Sequence, residues 1–353
     1  MSIRNLNHIL LIAVIAIAAF SCKKKDDDIE AVYVDGTLTF ELPEFIQPDQ
    51  VIKMTPKGLT HPDGGVIGYY WKVNPTMTKF DTTRFLNGLD AEGKPSDGTF
   101  NFAFPDTLQT YTVYCNAFSE GYSTSTKNLS TTVVKPGPEQ SITNTGIDVT
   151  KDPYYKFFGN EYYYVTIGEL DWLRQDLAYT QTGIPFRNGS AMDGVFGKYF
   201  THEEALSACP EEWRLPTDAE WASLAKEIKG DKETDYTHKT VPGIAGKLMT
   251  DAYFNEVKMW EYWPSVGKLT NESGMGMIPT GYVNFGPKDS NGNYPSAKFI
   301  GVYEYAVYWT ADKAEDGMAY YRYIYCEEPD FVIGKGDPET FGASVRCVRD
   351  KKI

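Results

Sequence analysis

The segment Lys135-Pro-Gly-Pro-Glu-Gln-Ser141 constrains the chain more than any other. Two prolines around a glycine cannot continue a strand, and the polar run after them has no periodicity. The stretches on its two sides must therefore each bury a core of their own. The length of 353 residues agrees, because single cores stop growing and chains split at about 250 to 300 residues. We expect two domains, over 31–136 and 147–353, with a linker at 137–146. A hydrophobic fraction of 42% supplies a core for both, and a charged fraction of 23% is too low and too mixed for wholesale disorder.

Ahead of both domains, an unbroken apolar run extends from Ile9 to Phe20 behind Arg4. Twelve residues make a helix of about 18 Å, too short for a hydrocarbon core of about 30 Å, so residues 1–21 read as a signal peptide. Ala19-Phe20-Ser21-Cys22 places small residues before a cysteine and resembles the lipobox of bacterial lipoproteins, with Phe20 bulkier than that pattern usually has. Cys22 is the expected lipidation site. Lys23-Lys24-Lys25-Asp26-Asp27-Asp28 comes next as a solvated tether over 22–30, as a lipid-anchored protein needs between membrane and fold. Similar starts occur in Bacteroides-type envelope lipoproteins. That resemblance implies an outer-membrane lipoprotein, exposed at the cell surface and anchored to the membrane by lipid. Cleavage removes Arg4 and moves the net charge from −14 to about −15. Such an acidic chain lacks the surplus of lysine and arginine that phosphate binding needs, so no nucleic-acid partner is expected.

An extracytoplasmic address leaves Cys115, Cys209, Cys326 and Cys347 where disulfides persist, with three full pairings open. No Cys-x-x-Cys occurs, and the histidines are His8, His61, His202 and His238, so neither a metal site nor a cofactor is expected.

Residues 31–136 consist of short alternating runs broken by Gly, Pro, Asp and Asn. In Tyr111-Thr-Val-Tyr-Cys115-Asn-Ala117 a period of two sends Tyr111, Val113, Cys115 and Ala117 to one face. Several strands at this spacing suggest a β-sandwich. The Tyr-x-Val-x-x-x-Ala run, the Glu120-Gly121 turn and the closing run Thr131–Val134 resemble a PKD or immunoglobulin-like domain, with Trp71 as its core tryptophan. Cys115 reads as a buried apolar residue. Gln47-Pro48-Asp49 reads as a proline turn.

In the second module a strand pair over Glu161–Ile167 and Leu170–Leu173 turns at Gly168-Glu169. Thr201-His-Glu-Glu204 and Thr217-Asp-Ala-Glu220 both fit the capping box that opens a helix. After the second, Trp221, Leu224, Ala225 and Ile228 form one apolar face of a helix ending at Gly230. Further strands are expected at Tyr320–Tyr325 and Ala343–Val348. The module is an α+β domain with long loops.

Three segments carry a resemblance to a known family: Asp171-Trp172-Leu173 with Asp176-Leu177, Ala208-Cys-Pro-Glu-Glu-Trp213-Arg-Leu-Pro-Thr217-Asp-Ala-Glu-Trp221, and Gly342-Ala-Ser-Val-Arg-Cys347. Together with Ile278-Pro-Thr-Gly-Tyr282 and Tyr308-Trp-Thr310 they resemble the Fibrobacter succinogenes major paralogous domain over roughly 148–350. That family is similar in turn to the C-type-lectin-like fold of formylglycine-generating sulfatase-modifying enzymes. The resemblance implies two helices packed on a twisted antiparallel sheet. It also implies a disulfide between Cys209 and Cys347, worth about 4 to 5 kcal/mol as an upper figure, with Cys115 and Cys326 left unbridged.

No catalytic constellation is recognised. Formylglycine chemistry uses a reactive cysteine pair, whereas the resemblance commits Cys347 to a structural bridge. There is no Gly-x-Ser-x-Gly, Walker loop or His-Glu-x-x-His. Asp289-Ser-Asn291-Gly-Asn293 has the glycine in the wrong place for a calcium loop and reads as an Asn-Gly turn. Among the aromatic clusters, Trp260, Tyr262 and Trp263 fit sheet packing least well, and exposed rings near carboxylates stack on sugars or anchor interfaces. These three are the candidate ligand-binding residues. The expected function is that of a lipid-anchored cell-envelope binding or adhesion protein, its lectin-like domain recognising glycan or protein of envelope or host. A structural subunit of a surface appendage is the alternative, and an extracytoplasmic enzyme on polysaccharide or protein a weaker one.

Overall fold

A computed structural model describes residues 31–75, 82–85, 89, 94, 96–134, 153–255, 257–260 and 268–352. The signal run, Cys22, the charged tether and the linker over 137–146 lie outside these residues. The described residues are β-rich, with short helices in the second module.

Nine strands are described in the first module: β1 (Asp35–Thr39), β2 (Phe45–Ile46), β3 (Val51–Met54), β4 (Lys57–Thr60), β5 (Gly68–Asn74), β6 (Thr82–Phe85), β7 (Phe100–Ala103), β8 (Thr110–Phe118) and β9 (Ser125–Val133). They form a five-stranded sheet in the order β2-β9-β8-β5-β6 and two pairs, β1-β4 and β3-β7. The alternation along β8 is as the sequence predicts, with Tyr111, Val113, Cys115 and Ala117 all buried. Trp71 is fully buried on β5 and donates its indole N–H to the Gly98 carbonyl at 2.8 Å, so the ring enters the core without an orphaned donor. Burial pushes the Cys115 thiol up to about 12, which keeps it protonated and inert.

The second module opens with β10 (Tyr154–Phe157), β11 (Asn160–Ile167) and β12 (Leu170–Leu173), and the short strand β13 (Ile184–Pro185) is next. Helix α1 (Asp193–Phe196), strand β14 (Lys198–Tyr199) and helices α2 (His202–Ala208), α3 (Asp218–Lys229) and α4 (Ala245–Leu248) come after it. Both capping boxes form as expected, Thr201 with Glu204 and Thr217 with Glu220, and α3 stops at Gly230 in the left-handed region at φ 75°. The remaining strands are β15 (Tyr253–Phe254), β16 (Val257–Lys258), β17 (Tyr282–Asn284), β18 (Lys298–Ile300), β19 (Tyr305–Lys313), β20 (Ala319–Tyr325), β21 (Val332–Gly336), β22 (Phe341–Gly342) and β23 (Val348–Asp350). Three antiparallel sheets of three or four strands result, ordered β10-β11-β12-β23, β18-β17-β22 and β19-β20-β21, beside the two-stranded pairs β13-β14 and β15-β16.

One expected strand is not continuous. Over Ala343–Val348, residues Ala343 and Ser344 make only isolated bridges, and pairing resumes at Val348. Between them Arg346 turns inward, donating through Nε to Asp176 and through Nη1 to the Leu173 and Met275 carbonyls. A buried guanidinium needs this many acceptors, and satisfying it breaks the ladder.

Two more arginine–aspartate pairs are buried in the same module. Arg322 and Asp218 are both fully buried and joined twice, at 2.6 and 2.9 Å, and Arg349 meets Asp171 at 3.0 Å. Each pair spans more than a hundred residues of sequence and clamps a late strand to an early element. The disulfide Cys209–Cys347 adds a covalent clamp across a separation of 138 residues. Cys115 and Cys326 are buried and outside that bridge.

The modules touch through a small apolar contact. Phe45 of β2 and Val134 share a buried cluster with Phe186, Met192 and Phe196, and the Phe45 and Phe186 rings lie 5.8 Å apart. Arg187 pairs with Glu44, and the Asn255 side-chain amide donates to the Val133 carbonyl at 2.8 Å.

Candidate functional site

Trp260 is not the exposed ring that the sequence suggests. It is fully buried in one cluster with Met249, Met275 and Met277, and its indole N–H donates to the Met277 carbonyl at 3.1 Å. With the ring and its only polar atom both occupied by the core, Trp260 offers nothing to a ligand. Tyr262 and Trp263 lie outside the described residues. The Asp289 loop is a self-satisfied turn, since one carboxylate oxygen accepts the Asn291 and Asn293 backbone N–H groups at 2.9 Å each. Among the described residues no three His, Cys, Asp or Glu side chains are grouped to hold a metal. A cavity of about 140 Å³ lies beside Asp176, Asp193 and Arg346. Its Asp176 is committed to Arg346, and burial pushes Asp193 up to about 6 against the pull of Lys198.

Aromatic side chains do gather on the surface, on one face of the β19-β20-β21 sheet. Along β20 the pleat sends Tyr321, Tyr323 and Tyr325 to one side and the buried Arg322 and Ile324 to the other. Register then sets Tyr305 of β19 beside Tyr325, Val307 beside Tyr323 and Trp309 beside Tyr321. Val307 and Trp309 are buried and form the floor, whereas the four tyrosines are half-buried. Tyr282 of β17 and Phe341 of β22, also half-buried, extend the face sideways.

The rings are ordered against one another. Tyr305 stacks on Tyr325 at 4.6 Å and 16°, and Tyr321 stacks on Phe341 at 4.6 Å and 14°. Phe341 in turn stacks on Tyr282 at 5.2 Å, and Tyr323 sits tilted between Tyr305 and Tyr321 at 6.1 and 5.9 Å. Trp309 supports Tyr321 and Phe341 from below, edge-on at 6.1 and 5.4 Å. Glycine makes room for this arrangement. A Cβ at Gly334 would stand 2.5 Å from the Tyr321 ring, and one at Gly336 would stand 2.7 Å from that of Phe341.

Carboxylates gather toward one end of the face. Glu304, Glu327 and Glu328 are exposed beside Tyr305 and Tyr325. Burial and then a hydrogen bond to Glu327 push Tyr325 up to about 12. Burial first and Glu304 next raise Tyr305, and burial with Glu328 raises Tyr323. Tyr321 is pushed up to about 12 mainly by burial. All four phenols are therefore neutral at physiological pH, each able to donate and accept a hydrogen bond. The sequence does contain the signal for this site, because Tyr320–Tyr325 alternates. Periodicity separates the two faces of a strand without saying which one the rest of the fold covers.

The β12–β23 pairing, the Thr217 capping box and the Cys209–Cys347 bridge all fall within or beside residues 165–349, which match the Fibrobacter succinogenes major domain. The chain belongs to that family. The aromatic face, from Tyr282 to Phe341, lies wholly inside the Fibrobacter succinogenes major domain, as do the three buried arginine–aspartate pairs. No curated protein matches the chain.

Proposed function

We propose that this is a lipid-anchored cell-envelope binding or adhesion protein, held in the outer membrane through Cys22 and exposed at the cell surface. Residues 31–136 act as an immunoglobulin- or PKD-like spacer, and residues 147–353 as a C-type-lectin-like domain that presents a recognition surface to glycan or protein. The observation that carries this reading is the half-exposed face of Tyr282, Tyr305, Tyr321, Tyr323, Tyr325 and Phe341 with its acidic border. Aromatic rings offer large contact area with few torsions to freeze, and such residues dominate interface energetics. The lipobox-like Cys22 and the charged run after it support the anchored part of the reading.

Two measurements test it. Full-length protein in detergent micelles is screened against a glycan array and against envelope and host surface proteins, beside a Tyr321→Ala/Tyr323→Ala variant. We expect a bound ligand that the variant loses, whereas an empty screen, or binding that the variant retains, overturns the proposal for this face. Metabolic labelling with a radiolabelled fatty acid should mark the wild type but not Cys22→Ala, and equal labelling of both would remove the anchor.

A further inference from the structure

We infer that the tyrosine face takes an extended protein segment carrying arginine or lysine, whose cationic groups are received by Glu304, Glu327 and Glu328. This rests on the reading of that face as the recognition surface, and adds the chemical class of the partner.

Ring geometry argues for a peptide over a sugar. A pyranose stacks on an open ring face, but here Tyr305 and Tyr325 face each other, and Tyr321, Phe341 and Tyr282 form a three-ring stack. Each ring face taken up by a neighbouring ring is closed to a sugar. Tyrosines presented in this way supply rigid amphipathic contact to main chain and side chains, as in binding loops rich in that residue. The dimensions also fit. Tyr321 to Tyr325 covers roughly 13 Å at about 3.3 Å per residue, the length of four or five residues of extended chain.

Charge complementarity selects the partner. The three exposed carboxylates lie at the Tyr305 and Tyr325 end, in a chain whose net charge is −14. Guanidinium and ammonium groups are attracted both by carboxylates and by tyrosine rings, and arginine also stacks on them. A segment with its basic residues at one end would place them over Glu304, Glu327 and Glu328 and lay its remainder along Tyr323, Tyr321 and Phe341.

The test uses full-length protein in detergent micelles and fluorescence anisotropy with three labelled probes. These are a Gly-Arg repeat peptide, the same peptide with citrulline in place of arginine, and a β-linked glucan oligosaccharide. We expect the arginine peptide to bind at least about tenfold more tightly than the citrulline peptide, and to weaken as salt rises. Tyr323→Ala should weaken it about tenfold. Glu327→Gln/Glu328→Gln, at exposed positions whose replacement leaves the fold intact, should weaken it at least about fivefold. Equal binding of the two peptides, or arginine binding unchanged in the glutamine variant, overturns the inference. Glucan binding that Tyr323→Ala abolishes also overturns it, while leaving the face as a recognition surface. If no probe binds and the wider screen is empty, both readings fall.

Discussion

Arg322→Met isolates one of the best-defined interactions in the molecule. Arg322 is fully buried and gives Asp218 two charge-assisted hydrogen bonds, at 2.6 and 2.9 Å. It also caps the Lys239 and Tyr236 carbonyls at 2.6 and 2.9 Å, and its guanidinium lies 5.6 Å from the centre of the Phe331 ring. Methionine keeps the aliphatic stem against Phe331 but leaves a fully buried Asp218 with the His238 backbone N–H and no permanent charge, its nearest ionisable neighbour being the His238 ring at 4.0 Å. Removing one partner of such a pair costs about 3 to 5 kcal/mol. With a urea dependence of about 2 kcal/mol/M, the unfolding midpoint should fall by roughly 1.5 to 2.5 M. Tryptophan fluorescence reports on the correct module, because Trp172, Trp213, Trp221, Trp260, Trp263 and Trp309 belong to it and only Trp71 to the other. Asp218→Leu in the Arg322→Met background removes the stranded charge, so the double variant should recover part of the loss, with a coupling of about 1 to 3 kcal/mol. A single-variant cost below about 1 kcal/mol, or strict additivity in the cycle, would refute the reasoning.

Three further outcomes are expected. Cys209→Ala/Cys347→Ala should destabilise the second module by up to about 5 kcal/mol, measured by urea unfolding, since the bridge closes a loop of 138 residues. Trp260→Ala should cost about 3 to 5 kcal/mol of stability in the same assay, while Trp260→Phe should leave ligand affinity unchanged, because the ring faces the core. Asp193 has a folded-state pKa pushed up to about 6, so its contribution to stability is present below about pH 4 and lost as pH rises through about 6. Asp193→Asn should therefore raise the melting temperature relative to wild type near pH 7.5, with the gain shrinking near pH 4.

Local rules made much of this fold legible. The alternation at Tyr111–Ala117 and the threonine–glutamate pairs at Thr201 and Thr217 are short-range signals, and strands and helix starts stand where these place them. The Cys209–Cys347 bridge came from family resemblance, since four cysteines alone leave the pairing open. Long-range chemistry was not legible. Arg346 interrupts an expected strand because its acceptors are Asp176, Leu173 and Met275, all distant in sequence. Trp260 sits in an aromatic stretch without clean periodicity, and a remote carbonyl at Met277 together with a methionine-rich cluster draws it inside. The tyrosine face was half-legible, its composition visible and its exposure hidden.

The position of the disulfide has a mechanical consequence. Every residue of the tyrosine face, from Tyr282 to Phe341, lies inside the covalent loop that Cys209 and Cys347 close. A pull entering from the N-terminal side reaches β10, β11 and β12 first, and could peel them from β23 and draw out the chain as far as Cys209. For a load carried between the two ends of the chain, the tension passes there through sulfur to Cys347 and bypasses the intervening residues. The tyrosine face then lies off the line of tension, and the strands before Cys209 can extend without stretching it.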